Sequence, residues 1–426
     1  MRIMVLGAAG FIGRHVIAEL LAHGHDVVAV VRRAEGFAES FPDVAVIALD
    51  LAKAVEDSDW TPYLDGIDLV VNAAGQLRGG AMTAVHLKMP QALYRTATKA
   101  GVKRVVLLSA ISARHDVPTD YAASKIAGED ALRSSSLGWT ILRPSLVYGD
   151  GSYGGTSLMR GIAGLPWIIP VPGQGDFAFT PIHARDLARA IRVVSEDATF
   201  AGKTLDPVGP GRLTLRELLG QMRAWLGFGK ARFLPVPMPV MYALGRIGDI
   251  LGNGPIATNS LVQMVVGNDG DSQAFARAIG FAPRSFDAAL RARPALVQDR
   301  WHARLFFVAP LLKIALILLW GASALLGLLF GAEQSEALVR ALGLPVAWAD
   351  PLRIGGSAID IGIVALLVFD RRGRWSTFVQ IAAVLGYTLV IGLALPQLWL
   401  DPLGPLLKNI PILAAILVHG AIAERR

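Results

Sequence analysis

Tyr121 and Lys125 stand four residues apart in the run Tyr121-Ala-Ala-Ser-Lys125, which opens a segment of helical apolar spacing through Ile126, Ala127 and Leu132. Residues at i and i+4 share one face of a helix, which makes the phenol and the ammonium neighbours in space. A cation beside a phenol lowers its proton affinity, so the pair is suited to exchanging a proton with a carbonyl or hydroxyl oxygen. A second chemical signal lies at the start of the chain. Gly7, Gly10 and Gly13 recur every three residues directly after the apolar run Ile3-Met-Val-Leu6. Gly7 allows a tight turn, Gly10 lets a pyrophosphate approach the backbone, and Gly13 lets a helix pack closely on a strand. The helix that follows, with Val16, Ile17, Leu20 and Leu21 on one face, offers free N–H groups and a positive dipole end to phosphate.

Those residues need a scaffold, and the chain reads as a βα repeat. The run from Ile3 to Leu6 is short and wholly apolar, as a parallel strand buried on both faces requires. Asp26-Val-Val-Ala-Val-Val31 reads as a second strand, Leu69-Val-Val-Asn72 as a fourth, and Val105 to Ser109 as a fifth. The expected fold is an α/β doubly wound parallel (Rossmann) sheet with a small substrate lobe, mainly within residues 150–295. In such a fold the end of the second strand selects the nucleotide: an acidic residue binds a ribose 2′-hydroxyl, an arginine accommodates a 2′-phosphate. Arg32 and Arg33 occupy that place and favour NADPH over NADH. Asp50 and Leu51, after the apolar run from Val44, are placed to meet adenine. The loop Ala73-Ala74-Gly75 is expected under the cofactor, with Lys125 holding its nicotinamide ribose.

Taken in order, the motifs resemble the short-chain dehydrogenase/reductase family, in its extended or atypical branch, over roughly residues 1–295. The resemblance is carried by Gly7-Ala-Ala-Gly-Phe-Ile-Gly13, Asn72-Ala-Ala-Gly75 and Tyr121-Ala-Ala-Ser-Lys125. Arg143-Pro-Ser-Leu-Val-Tyr-Gly149 and Pro181-Ile-His-Ala-Arg-Asp-Leu187 extend it downstream. It implies that Tyr121 is the catalytic acid and Lys125 its partner, and that Ala9, Phe11, Ile12 and Pro144 also border the nucleotide. It implies too a hydroxyl that polarises a substrate carbonyl, which Ser109 and Ser112 both offer. His183 and Asp186 match positions at a strand–helix junction that are architectural. The short interval from Ser109 to Tyr121, with Ser124-Lys-Ile-Ala-Gly-Glu129, is closer to atypical members that include the nucleotide-binding accessory subunit of respiratory complex I. Two functions follow: a membrane-anchored oxidoreductase for a lipophilic carbonyl or hydroxyl compound, or a non-catalytic NADPH-binding assembly or sensor subunit. A third reading, epimerase or dehydratase chemistry on nucleotide- or lipid-linked sugars, is disfavoured by that short interval and by Arg32 and Arg33.

Composition sets the wider bounds. The 426 residues are 53% hydrophobic, with a mean hydropathy of +0.47, and the excess is concentrated after about residue 305. The chain has no cysteine, which excludes disulfides, thiolate metal sites and cysteine nucleophiles; no metal site is expected. The formal charge of +7 is scattered, so no nucleic-acid partner is expected. Met1-Arg2-Ile3 runs straight into a strand, so no secretory signal is expected either. In the middle of the chain Trp225, Phe228, Phe233, Met238 and Met241 make the small lobe oily, and Val240 to Ile250 reads as an apolar helix beside an access segment.

After a linker at 296–304, apolar stretches at 305–330, 352–369, 376–395 and 403–423 predict an all-α, four-helix transmembrane bundle. About twenty helical residues cross a hydrocarbon core of roughly 30 Å. Arg300, Arg304, Arg371-Arg-Gly-Arg374 and Glu424-Arg-Arg426 fall on one side, and Glu333, Glu336, Asp350 and Asp401 on the other. The positive-inside rule then puts both termini and the Rossmann domain on the cytoplasmic face of a bacterial-type inner membrane. Trp320, Trp348, Trp375 and Trp399 are expected near the interfaces. The stretch Asp401-Pro-Leu-Gly-Pro-Leu-Leu-Lys-Asn409 resembles the DoxX-like family of four-helix membrane domains. That resemblance implies the bilayer as partner, with a quinone, another lipophilic small molecule or a membrane protein complex. Lys313 and Asp360, at depths that differ by roughly 5 Å, are predicted to pair inside the bundle.

Overall fold

Alternation along strand β1 (Arg2–Leu6) explains how the first half of the chain is built. Ile3 and Val5 turn to one face of the sheet and Met4 and Leu6 to the other, all four fully buried. The first face receives Val16, Ile17 and Leu20 of helix α1 (Phe11–Ala22). The second receives Trp60 and, from the helix Met89–Lys99, Met89 and Leu93. Burying each such side chain stabilises the fold by about 1.5–3 kcal/mol, which is why near-continuous apolar runs become central strands. The computed structural model describes residues 1–426 except 78, 152, 252–256, 371, 403 and 424–426.

The remaining strands of this sheet are β2 (Asp26–Val31), β3 (Ala45–Ala48), β4 (Leu69–Asn72), β5 (Arg104–Leu108), β6 (Gly138–Leu142) and the edge strand Lys203–Leu205. Counting from that edge, the order is Lys203–Leu205, β6, β5, β4, β1, β2, β3, every neighbour parallel. The expected doubly wound sheet is therefore present. Winding reverses between β1 and β4, where Ile3 is flanked by Val27 and Leu69. A crevice opens at the carboxyl ends of the strands at such a reversal. The glycine turn after β1, the loop after β4 and the start of a later helix all meet there.

The helices of this unit, in chain order, are α1, α2 (Phe37–Ser40), α3 (Met89–Lys99), α4 (Asp120–Arg133), α5 (Gly155–Ala163), α6 (Ala184–Glu196) and α7 (Leu215–Trp225). They continue with α8 (Met238–Leu251), α9 (Thr258–Val266), α10 (Ser272–Ile279) and α11 (Phe286–Ala292). The small lobe is closed by the parallel pair Ile168–Pro172 and Arg232–Val236 against α5, α7 and α11. Trp225, Phe228 and Phe233 pack on its core of Ile169, Val171, Leu218 and Phe286.

Residues 304–426 form a second compact unit, built from α12 (Val297–Phe330), α13 (Ala332–Ala341), α14 (Ala349–Phe369), α15 (Arg374–Ala394) and α16 (Asn409–Ile422). The first two turns of α12, residues 297–303, belong to the first unit and bury Asp299 and Ala303. Among the described residues three helices are long and apolar enough to cross a bilayer: Val297–Phe330, Val346–Phe369 and Arg374–Ala394. The fourth expected span is shorter than its hydropathy implies. It is helical only over the 14 residues Asn409–Ile422, about 21 Å at 1.5 Å per residue. Gly404, at φ +57°, turns the chain ahead of it.

The interior of this unit combines an apolar cluster of Leu316, Trp320, Ile363, Leu367, Val384 and Ile416 with buried polar side chains, and large apolar side chains also cover its surface. Asp360, Ser357, Gln380 and Ser376 are buried, while Leu311, Leu318, Phe378 and Leu393 face outward. Lys313 does not meet Asp360. The Asp360 carboxylate accepts from Ser323 Oγ at 2.6 Å and from Tyr387 OH at 3.2 Å. Ser323 lies ten residues beyond Lys313 on α12, about 15 Å further along the axis, so span ends misjudged by a few residues produced the wrong partner. Trp320 also departs from expectation: it is buried and donates to Gln380 Oε1 at 3.0 Å. Trp348, Trp375 and Trp399 are exposed. Arg371 and Glu424 to Arg426, used in the orientation argument, lie outside the described residues.

Candidate nucleotide and proton-transfer site

The glycine turn is built so that only glycine fits at two of its positions. Gly7 has φ +70°, and a β-carbon there would stand 2.8 Å from the Ala73 carbonyl oxygen. A β-carbon on Gly13 would stand 2.3 Å from Gly7 O. These approaches bring β1, the loop after β4 and the start of α1 together. The N-cap of α1 is Gly10, which has no side chain to cap the helix, and the first turn holds no acidic residue. Its leading N–H groups therefore remain available to an anion. Ala9 and Gly10 are exposed and Phe11 and Ile12 half-buried along this turn. The cradle fits a pyrophosphate.

Arg32 and Arg33 follow β2, both exposed. A further cation borders the glycine turn: the Arg14 guanidinium lies 5.6 Å from the centre of the Phe37 ring and donates to Ala9 O. Its position directly after Gly13 is the sequence signal for it. Asp50 and Leu51 are half-buried after β3, and one Asp50 carboxylate oxygen accepts from Ala52 N at 3.2 Å, fixing that turn. Across the crevice, Asn72 Oδ1 accepts from Ala74 N and shapes the loop Ala73-Ala74-Gly75. Pro144, after β6, is buried and its carbonyl accepts from Ile111 N.

Helix α4 carries the titratable groups. Thr119 caps it by accepting from Ala122 N. One turn apart on its inward face lie Tyr121, Lys125 and Glu129, exposed by only 8%, 6% and 0%. Lys125 Nζ donates to Leu108 O at 3.1 Å at the end of β5. It also lies 3.5 Å from where a β-carbon of Gly75 would be and 6.0 Å from the centre of the Tyr121 ring. The loop after β4, the end of β5 and α4 thus converge on one ammonium. Burial pushes Lys125 down to about 8, with the Glu129 charge opposing it. Burial pushes Tyr121 up to about 12. The expected lowering of the phenol by its lysine is therefore outweighed by burial.

Beneath the pair lies the fully buried Glu129 carboxylate. Burial alone would raise it, but the Arg143 guanidinium, donating through Nε at 2.9 Å, holds it below the ordinary carboxylate range, helped by Arg133. Ser109 Oγ is buried beside this carboxylate, near enough to favour its charged form yet off the geometry of a full hydrogen bond. Ser112 is buried on the same loop.

His86 belongs to this site and had no signal in the sequence. It sits in a π-helical turn, Ala84–Lys88, ahead of α3, with its ring edge-on to Tyr121 at 5.7 Å. Its Nε2 accepts from Gln76 N at 3.0 Å, so Nδ1 carries the proton and donates to Ser124 Oγ at 2.9 Å. Burial, with the Lys125 charge adding to it, pushes His86 down to about 3, so the ring is neutral. Gly128 makes the approach possible: a β-carbon there would stand 2.3 Å from His86 O. His183 and Asp186 are architectural. His183 Nδ1 caps α6 by accepting from Arg185 N, and both Asp186 oxygens are held by Arg284. Over the mouth of the glycine turn, Tyr153 stacks on Phe11 with ring centres 6.5 Å apart.

Comparison with known proteins agrees with this geometry. Residues 7–162 match the NAD(P)H-binding family and residues 317–417 the DoxX-like family. A ceramide reductase of Caulobacter vibrioides is 27% identical over 254 residues, covering 58% of this chain and 77% of that protein. The mouse mitochondrial NADH dehydrogenase [ubiquinone] 1 alpha subcomplex subunit 9 is 26% identical over 269 residues, covering 59% and 67%. Among solved structures, a nucleoside-diphosphate-sugar epimerase from Staphylococcus aureus aligns with a TM-score of 0.57 at 18% identity, over 68% of this chain and all of that one. An NADPH-dependent quinone oxidoreductase from Escherichia coli, complexed with NADPH, aligns at 0.55 and 22%, over 68% and 99%. The chain joins an NAD(P)-binding Rossmann domain to a DoxX-like domain.

Proposed function

We propose that this chain is a membrane-anchored, NADPH-dependent reductase of a lipophilic carbonyl compound, with Tyr121 as the proton donor. The observation that carries the reading is the convergence of Tyr121 and Lys125 with the Gly75 loop at the crevice where β1 and β4 part. The bound nicotinamide supplies the hydride. Tyr121, with its phenol held near 12, is protonated at neutral pH and can give that proton to a carbonyl oxygen. Lys125 uses one N–H on Leu108 O and keeps two for the nicotinamide ribose and the phenol. Ser109, whose Oγ is buried without a hydrogen-bond partner, and Ser112 are the two hydroxyls available to polarise the carbonyl. Arg32 and Arg33, both exposed after β2, suit a 2′-phosphate and support NADPH over NADH. Bilayer-length helices and a relative that acts, by its name, on ceramide support a lipophilic substrate. The arginines Arg300, Arg304, Arg372 and Arg374 support a cytoplasmic Rossmann domain on a bacterial-type inner membrane.

A second reading, a non-catalytic NADPH-binding subunit of a quinone-linked membrane complex, is favoured by the likeness to a complex I subunit. Single-turnover absorbance at 340 nm separates the two. Detergent-purified chain loaded with NADPH is mixed with a membrane lipid extract or a soluble quinone, wild type beside Tyr121→Phe. Loss of absorbance with lipid extract that needs Tyr121 supports the reductase. Loss with quinone that does not need it, or tight binding with no turnover, supports the subunit.

A further inference from the structure

A soluble domain rarely leaves a continuous run of large apolar side chains in water. In residues 1–303 the exposed large apolar side chains, apart from Met1, Leu77 and Tyr153, fall in three segments: 167–168, 234–265 and 296–301. Helix α8 carries the clearest stripe. Val240, Leu244, Ile247 and Ile250 recur at spacings of four, three and three, and are 48%, 43%, 52% and 85% exposed. The opposite side of α8 is the packed one, where Gly245 lies close against Leu261 and Thr258 of α9. Two residues before α8, the strand Arg232–Val236 pairs with Ile168–Pro172, with exposed Leu234 opposite Pro170, two positions along from exposed Ile168. Arg232 N donates to Trp167 O.

The position of this face along the chain identifies what covers it. Gly164, three residues before Trp167, packs against Ala303, with an added β-carbon only 2.8 Å from Ala303 Cβ. Ala303 sits on α12, the helix that runs unbroken through the apolar stretch to Phe330. Along the chain, the apolar stretch that can cross a bilayer begins directly after Ala303. Lys230, Arg232 and Arg246 are exposed among the oily tips, as suits an interfacial helix beside anionic headgroups.

We propose that α8 and the Trp167–Leu234 strand tips are a membrane-seated face of the Rossmann unit, resting in the headgroup layer of an anionic bilayer. The proposal does not depend on Tyr121 turning over a carbonyl, since a non-catalytic subunit would seat in the same way. With the reductase reading, it gives a lipid substrate a route to the small lobe that avoids water.

The absence of cysteine makes a clean test possible. Ile247→Cys and Trp167→Cys, both at exposed positions, are labelled with bimane in the full chain, beside Lys103→Cys at the exposed amino end of β5. The chain is placed in nanodiscs of phosphatidylcholine and phosphatidylglycerol and quenched with doxyl-labelled lipid or with aqueous iodide. The proposal expects labels at 247 and 167 to lose fluorescence to doxyl lipid and resist iodide, and the label at 103 to do the reverse. Iodide quenching at 247 and 167 equal to that at 103 overturns it. Shielding of 247 and 167 from both quenchers also overturns it, because protein, either the chain's own bundle or a second copy, would then cover the face.

Discussion

Replacing Lys125 by methionine is expected to make the nucleotide-free protein more stable while removing its activity. The ammonium is 6% exposed, and burial lowers it from 10.5 to about 8. A depressed lysine disfavours folding: below about 8 the folded chain carries a buried charge that the unfolded chain holds in water. Between about 8 and 10.5 the unfolded chain binds the proton and the folded chain does not, so stability rises with pH across that window and is level on either side. At 1.36 kcal/mol per pKa unit, the charge costs about 3 kcal/mol at neutral pH. Methionine has similar volume and no charge, and Glu129 keeps Arg143 and Arg133 as partners. Part of the gain is offset by the lost hydrogen bond to Leu108 O, worth about 1 kcal/mol. Scanning fluorimetry of the full chain in detergent should therefore show a Lys125→Met variant that melts higher than wild type at pH 7. The difference should shrink as pH rises through 8 to 10.5, and turnover of NADPH should fall by about 10²-fold or more. A variant that melts lower than wild type at pH 7 would refute the reasoning, since the ammonium would then be a net stabilising group.

The other predictions test separate parts of the reading. Gly13→Ala puts a β-carbon 2.3 Å from Gly7 O; it should cost about 1–3 kcal/mol of stability and abolish NADPH binding measured by nucleotide fluorescence. Replacing Arg32 and Arg33 together by alanine should weaken NADPH binding at least about tenfold while changing NADH binding little, since only the 2′-phosphate contact is lost; calorimetric titration with both nucleotides measures it. In the bundle, Asp360→Leu strips an acceptor from Ser323 and Tyr387 and should cost about 1 kcal/mol. Lys313→Met, with no carboxylate opposite it, should leave the melting of the bundle unchanged.

What could be read in advance was whatever depends on near neighbours in the chain. Glycine at 7, 10 and 13 reports a turn whose close contacts are almost all within six residues or with one adjacent loop. The Tyr121–Lys125 spacing reports a helix face without knowledge of the fold. Parallel strands announce themselves because burial on both faces leaves a run of apolar residues with no alternation. Hidden from such a reading was whatever depends on packing between distant segments. Nothing near His86 marks it as the ring beside Tyr121. That contact requires a π-helical turn and the absence of a side chain at Gly128, 42 positions away. The pairing of Glu129 with Arg143 was likewise invisible, because it depends on where the end of β6 lies against α4.

The membrane half shows the same division in a harsher form. Hydropathy measures how much apolar helix is present, because transfer into hydrocarbon depends on composition. It carries no information on how far one helix is displaced along its neighbour. A shift of ten residues on α12 separates Lys313 from Ser323, the residue that actually meets Asp360. Two intramembrane charges at similar nominal depth were thus a reasonable pair by arithmetic and a wrong one by packing. Ser323 and Tyr387 are ordinary residues whose role emerges only once three helices are assembled. The consequence is specific. Asp360 is satisfied by two neutral hydroxyls instead of a cation, so no ammonium holds it ionised. Replacing Ser323 or Tyr387, and not Lys313, is therefore the change that removes a partner from Asp360.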